Sequence, residues 1–144
     1  MAVLDAAQAL ADLVEISSQI EGAVLTGPDG KLVASTYDDA RGARVATAAT
    51  GLLAAADASQ ARAERTAISQ LVVELPDGAV VCVREGERAV AAVTVKEPTV
   101  GLVLYDLRTT LRLAGDAETE EAKPKRTPAA RKAAPKKKEG EADA

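Results

Sequence analysis

Few residues of this 144-residue chain have side chains suited to catalysis. The chain contains no histidine, so the commonest general base and the commonest metal ligand are both missing. Its single cysteine, Cys82, is a potential nucleophile, but it stands in the apolar run AVVCVR, where a thiolate is costly and no histidine can activate it. We therefore interpret Cys82 as a small packed hydrophobic residue and expect no enzymatic activity.

The aspartates that could bind a metal or transfer protons are better explained by local structure. Asp29 and Asp77 each stand in the sequence Pro-Asp-Gly, without the neighbouring carboxylates of a calcium or magnesium site, and this triplet is typical of tight turns. Asp38 and Asp39 are adjacent, so their side chains diverge, and they suit the N-cap and first turn of a helix. We expect neither a metal nor a cofactor.

The cations are distributed unevenly and divide the chain into two regions. Residues 1–114 hold 10 Lys and Arg against 15 Asp and Glu, whereas residues 122–138 hold eight cations and no acid. We predict that 1–114 forms a folded domain and that 115–144 is a disordered Lys/Ala/Pro-rich tail, because the tail lacks apolar residues for a core. Its candidates for contact with nucleic acid or an anionic membrane are Lys123, Lys125, Arg126, Arg131, Lys132, Lys136, Lys137 and Lys138.

Apolar periodicity predicts three helices and five strands in the order α-β-β-α-β-β-β-α. The helices are expected at residues 4–20, 39–64 and 99–114, the last ended by Gly115. The strands are expected at residues 23–26, 31–35, 68–75, 79–84 and 88–95. We expect an α/β fold with a mixed five-stranded sheet, the middle helix on one face and the terminal helices on the other.

Turn chemistry and composition add two further expectations. Pro28-Asp29-Gly30 and Pro76-Asp77-Gly78 each reverse a strand, and we expect the first to be a type I turn followed by a glycine bulge. The N-terminus does not read as a signal peptide, no apolar run spans a membrane, and one cysteine allows no intramolecular disulfide. We expect a reducing, cytoplasmic location, and the Ala- and Arg-rich composition fits a bacterial genome.

In this order of elements the chain resembles the roadblock/dynein light-chain domain family over residues 4–114. The resemblance is carried by IEGAVL at residues 20–25, DGKLVA at residues 29–34, the Ala-rich middle helix, the Val-rich hairpin and PTVGLVL at residues 98–104. It implies a homodimer in which two middle helices pack together and the third strands pair into a ten-stranded sheet. Residues 68–75 would otherwise form an unprotected edge strand. The interface residues we predict are Val45, Ala49, Leu52, Leu53, Ala56, Ile68, Leu71 and Val73.

The resemblance also implies a regulator that binds a Ras-like small GTPase. The chain has no Gly-x-x-x-x-Gly-Lys-Ser/Thr phosphate loop, so we do not expect it to bind GTP itself. Candidate contacts with the GTPase are the arginines that flank the middle helix, Arg41, Arg44, Arg62 and Arg65. The alternative is a dimeric module that associates with DNA or a membrane through its basic tail.

Overall fold

The computed structural model describes the backbone of residues 5–126 and the side chains of residues 5–114. This part of the chain forms three α-helices: α1 (Ala6–Ile16), α2 (Asp39–Arg62) and α3 (Val100–Arg126). Its five strands are β1 (Ile20–Thr26), β2 (Leu32–Ser35), β3 (Gln70–Leu75), β4 (Gly78–Glu85) and β5 (Arg88–Thr94). Among these described helices, none combines the length and the apolar character needed to cross a membrane.

The five strands form one sheet in the order β2-β1-β5-β4-β3. Each of its four strand pairings is antiparallel, so the prediction of a mixed sheet is wrong. The physical reason lies in the connection through α2. It joins β2 to β3, which lie at opposite edges of the sheet, so this long crossover creates no parallel neighbours.

Alternate residues of the central strands contribute to two separate hydrophobic cores. Ala23 and Leu25 of β1 belong to a core that includes Leu10 of α1 and Leu107 of α3. Val24, which lies between them, belongs to a second core that α2 closes with Ala46, Ala49 and Leu53. Because successive side chains of a strand point to opposite faces, α2 covers one face of the sheet, and α1 and α3 cover the other.

Aspartate side chains cap the N-termini of α1 and α2. The Asp5 carboxylate accepts a hydrogen bond from the backbone N–H of Gln8 at 2.8 Å and caps α1. Asp38 accepts one from the N–H of Arg41 at 2.8 Å, which confirms the N-cap predicted for α2. Both caps satisfy backbone donors that a helix leaves without a partner.

The C-terminal helix does not end at Gly115, and this expectation is wrong. α3 continues to Arg126 because residues 116–122 are mostly Ala and Glu, which are strong helix formers, and one glycine costs a helix only about 1 kcal/mol. The disorder expected of the tail stays a prediction for residues 127–144, which lie outside the described residues. α2 runs without interruption from Asp39 to Arg62.

The two Pro-Asp-Gly turns differ in backbone conformation. Asp29 has φ 63° and Gly30 has φ 74°, so two successive residues are left-handed and the predicted type I turn is wrong. In the second turn Leu75 pairs directly with Gly78, which leaves a two-residue loop. A side chain at Gly78 would overlap the backbone carbonyl oxygen of Thr94, so the hairpin requires glycine at this close approach.

We expect Gly78→Ala to lower the free energy of unfolding by about 1–3 kcal/mol, because the added methyl group forces β4 and β5 apart. Urea denaturation followed by circular dichroism measures the change. Gly101→Ala is the matched control: Gly101 lies in the first turn of α3, and outside its own helix backbone no described atom lies within 4 Å of its Cβ position. This variant should gain up to about 1 kcal/mol from helix propensity. Equal effects at the two glycines would contradict the close approach at Gly78.

Candidate functional site

A cleft of about 790 Å³ opens beside α2, at the end of the sheet where β4 turns into β5. Its walls come from the β1–β2 turn, the second half of α2, the α2–β3 connection and the β4–β5 turn. The lining residues are mainly small or polar: Thr26, Gly27, Asp29, Gly30, Thr50, Leu53, Ala54, Asp57, Ala67, Ile68, Ser69, Arg84, Gly86, Glu87 and Ala89. The cleft therefore suits a polar ligand group better than an apolar one.

An ion pair between Asp57 and Arg84 forms one wall of this cleft. The Arg84 guanidinium donates two hydrogen bonds to the Asp57 carboxylate, Nη2 to Oδ1 at 2.7 Å and Nη1 to Oδ2 at 2.8 Å. Arg84 Nη2 also donates to the carbonyl oxygen of Ile68 at 2.6 Å, and the Ile68 N–H donates to Asp57 Oδ1 at 3.1 Å. The pair thus ties α2, β4 and the α2–β3 connection together.

The electrostatics of the pair agree with its geometry. The hydrogen bonds from Arg84, and then the one from the Ile68 N–H, lower the pKa of Asp57 below its ordinary value. The same hydrogen bond to Asp57 raises the pKa of Arg84. Both side chains keep some contact with solvent, at 32% exposure for Asp57 and 21% for Arg84, so water screens their attraction. The contribution of the pair is mainly to orientation.

Cys82 and the described carboxylates do not form a metal-binding cluster. Cys82 is fully buried in the core beneath α2, and burial raises its pKa to about 11, so the thiol stays protonated at neutral pH. This confirms that it packs as a small hydrophobic residue. Among the residues that the structure describes, no three Cys, Asp or Glu side chains lie close enough together to hold a metal ion.

The residues predicted for a dimer interface lie mostly on the inward side of α2 and β3. Ala49 is 4% exposed and Leu53 is 6% exposed, so both belong to the core of their own protomer and their assignment is corrected. Val45, Ile68 and Leu71 are partly buried against that same core. The remaining three are half-buried: Leu52, Ala56 and Val73.

The outward face of α2 carries small side chains that apolar periodicity does not detect. We call this the small-residue face, and it consists of Ala43, Thr47, Ala48, Gly51 and Ala55, all of which are exposed. The apolar stripe in the sequence marks the side of a helix that enters its own core. A face of Ala, Gly and Thr gives no such signal, so the predicted interface residues do not include it.

The four arginines predicted to contact a GTPase are all exposed, and they lie near the two ends of α2. Arg41 lies at the start of α2, where its guanidinium stacks over the Tyr37 ring with 4.9 Å to the ring centre. Arg44 and Arg62 are 18 residues apart, which places them on one side of α2 and about 27 Å apart along its axis. Arg65 follows the end of the helix.

The cations predicted to contact polyanions cannot be placed in the same way. Only the backbone is described for Lys123, Lys125 and Arg126, which belong to the last turns of α3. The other five, from Arg131 to Lys138, lie outside the described residues.

β3 forms one edge of the sheet and pairs, among the described strands, with β4 alone. The backbone N–H of Arg84 donates to the backbone carbonyl oxygen of Ser69 at 2.8 Å, which makes Ser69 and Arg84 a hydrogen-bonded pair of the antiparallel ladder. Because such pairs alternate along an antiparallel ladder, the backbone groups of Gln70, Val72 and Glu74 point away from β4. This edge can accept another strand.

The sequence analysis missed Asp57 and Arg84, although each stands out against its neighbours. Asp57 is the only acid in residues 40–63, and Arg84 is the only charged residue in residues 79–84. A lone charge on each of two apolar elements is a signal for an ion pair between them. The sequence alone does not show that the two elements meet.

Comparison with known proteins identifies the fold. The family model described as Roadblock/LC7 domain matches residues 6–94. A roadblock/LC7 domain from Streptomyces avermitilis has 20% identity and a TM-score of 0.70, with 76% of this chain and 93% of that chain covered. MglB from Myxococcus xanthus has 12% identity and a TM-score of 0.67, with 81% and 95% covered.

Two further comparisons complete these findings. The gliding protein MglB from Thermus thermophilus has 16% identity and a TM-score of 0.67, with 80% of this chain and 89% of that chain covered. A search of curated protein sequences found no match. The family match confirms the resemblance seen in the sequence, and the solved structures support the same fold.

We expect Asp57→Asn to remove part of the pH dependence of stability. Because the folded pKa of Asp57 is lowered, its charge stabilises the fold above its unfolded pKa, near 3.8, and this contribution is lost as the pH falls through the folded pKa. Urea denaturation at a series of pH values should show a smaller decline for the variant below about pH 4. The matched control is Glu15→Gln, at an exposed position on α1, which should retain the wild-type profile. A wild-type profile for Asp57→Asn would contradict the role of the pair.

Proposed function

The chain belongs to the Roadblock/LC7 domain family, and on this premise we propose that it is a non-enzymatic homodimeric scaffold that binds and regulates a Ras-like small GTPase in the cytoplasm. The observation that carries the proposal is the open edge of β3 together with the small-residue face of α2. The first supplies backbone groups for pairing. The second supplies a helix surface that permits close approach.

The β3 edge has the properties of a strand that is covered in the assembled protein. Its sequence, QLVVEL, contains no proline and no lysine, two residues with which proteins commonly protect an exposed edge. Leu71 and Val73 are only half-buried, and Leu75 is 46% exposed. Antiparallel pairing with β3 of a second copy satisfies the outward backbone groups and extends the sheet to the ten strands that the family resemblance implies.

The small-residue face supports pairing of α2 with α2 of the second copy. Its side chains are Ala, Gly and Thr, which let two helix axes approach to about 8 Å, the lower end of the usual range. Little apolar area is exposed on this face in a single protomer. The face supports the proposed interface because it lies on α2, the helix that also covers the sheet as far as β3.

Two further observations support assembly and a GTPase partner. A solved structure with the same fold is described as MglB with a tetrameric arrangement, at 16% identity and a TM-score of 0.67, and this description of MglB supports the proposal of assembly. In this chain, exposed Arg44 and Arg62 lie at opposite ends of the small-residue face, at the rim of the proposed α2–α2 contact. Such a pair suits carboxylates on a partner that spans the two paired helices.

We expect Val73→Lys to convert the dimer into a monomer, because pairing two β3 edges would bring two like charges together without water. Size-exclusion chromatography with light scattering gives the mass, and a thermal melt shows whether the protomer stays folded. The matched control is Val33→Lys at an exposed position on β2, the opposite edge strand, which should remain dimeric. A wild-type monomer at micromolar concentration would overturn the dimer.

We expect Arg44→Glu combined with Arg62→Glu to weaken binding of a Ras-like GTPase encoded beside this chain roughly tenfold, with most of the effect in the association rate. Biolayer interferometry with the GTPase loaded with GDP or with a GTP analogue measures both rates.

Lys96→Glu serves as the control, because Lys96 is exposed in the β5–α3 connection, away from α2, and its reversal should leave binding unchanged. Absence of binding in both nucleotide states would count against a GTPase partner. Equal loss in the double variant and in Lys96→Glu would indicate an effect of net charge instead of a contact along α2.

A further inference from the structure

We propose that the cleft beside α2 is an internal docking site for the C-terminal cations of the same chain, Lys136, Lys137 and Lys138. This contact is independent of the proposed GTPase partner. In the isolated protein, these lysines of the basic tail would therefore occupy the cleft.

The lining of the cleft carries a net negative charge, which favours a cationic occupant. Its lining holds three carboxylates, Asp29, Asp57 and Glu87, against the one guanidinium of Arg84. Arg84 is directed at Asp57 by two hydrogen bonds, whereas Asp29 and Glu87 lie exposed on the β1–β2 and β4–β5 turns, which both line the cleft. An ammonium group between those turns is attracted to both carboxylates, whereas a phosphate would be repelled.

The other lining groups suit lysine as well. The lining includes Thr50 and Ser69, which carry hydroxyl oxygens, and Thr26, whose hydroxyl donates to the Ala89 carbonyl oxygen at 3.5 Å. These oxygens accept hydrogen bonds from the three N–H donors of an ammonium group. Residues 127–138 consist of Ala, Pro, Thr, Lys and Arg, so this segment brings cations without bulky apolar side chains into a cleft of small and polar residues.

The direction of α3 brings the C-terminal segment to the correct end of the sheet. Arg112 Nη2 lies 3.2 Å from Glu85 Oε2, at the start of the β4–β5 turn. The next two residues of that turn, Gly86 and Glu87, line the cleft on the opposite face of the sheet. The chain therefore leaves the domain beside the cleft.

Chain length decides which cations reach the cleft. From Arg112 to Arg126 the helix advances about 21 Å beyond the β4–β5 turn, so the following segment must return at least that far. Five extended residues from Arg126 to Arg131 span about 17 Å and fall short, whereas ten residues to Lys136 span about 33 Å. Lys136, Lys137 and Lys138 are the cations that can return.

The tether makes these weak contacts effective, because a short linker supplies the lysines at roughly millimolar local concentration. The same cations are the ones that nucleic acid or an anionic membrane would bind. A polyanion and the cleft therefore compete for them, and by linkage each weakens the other. Polyanion binding would uncover the cleft next to the C-terminal end of α2.

The test uses the full chain with Glu139→Cys carrying a nitroxide spin label. Cys82 is buried and its pKa is raised to about 11, so it stays unlabelled, and wild-type protein given the same treatment verifies this. At low salt we expect the label to broaden the amide resonances of Gly30, Ser69 and Gly86, but not that of Gly101 at the start of α3. The broadening should disappear near 1 M salt, where the Debye length is about 3 Å.

Two charge-matched triple variants make the test specific. Lys136→Glu, Lys137→Glu and Lys138→Glu together should abolish the broadening, whereas Lys123→Glu, Lys125→Glu and Arg126→Glu together should retain it. No broadening in the wild-type background, or equal loss in both triple variants, overturns the proposal. A mixture of ¹⁵N-labelled chain and spin-labelled unlabelled chain should show no cleft broadening, and strong broadening there would assign the contact to a second copy and overturn the internal site.

Discussion

The structure depends on burying the central strands on both faces with a core that contains no phenylalanine and no tryptophan. Small side chains such as Ala23, Ala91 and Ala92 let the helices lie close to the sheet, but each contributes little apolar area. Stability therefore requires both helix layers. On one face α2 alone covers the sheet, so larger apolar side chains such as Leu53 turn inward, and its outer face carries Ala, Gly and Thr between Arg44 and Arg62.

A single helix on one face needs fixed ends, and polar contacts provide them. Asp38 caps the N-terminus of α2, and Asp57 binds Arg84 of β4 near the C-terminus. Through Ile68 the second contact also fixes the connection that leads into β3. The position of the open sheet edge and the walls of the cleft are thus set by the same group of hydrogen bonds, which links fold stability to the surfaces available for partners.

The sequence predicts the number and type of the elements because apolar periodicity and turn residues report local structure. It predicts less well where a choice depends on distant contacts. The mixed sheet was wrong because strand pairing across α2 is not visible locally. Ala49 and Leu53 were assigned to an interface because an apolar stripe does not reveal whether its own sheet or another chain covers it. Asp57 and Arg84 are 27 residues apart in sequence, and only the fold brings them together.

The outer face of α2, the cleft and the exit of the C-terminal segment are consequences of one arrangement. α2 and α3 lie on opposite faces, yet both run towards the end of the sheet where β4 turns into β5, as Asp57–Arg84 and Arg112–Glu85 show. The proposed docking of Lys136, Lys137 and Lys138 would bring a basic segment to the acidic turns at that end, beside Arg62 on α2. A partner that spans the paired α2 helices would extend to the same end. The proposed docking would therefore couple charge at the tail to recognition at α2 by position, without any change in the fold of the domain.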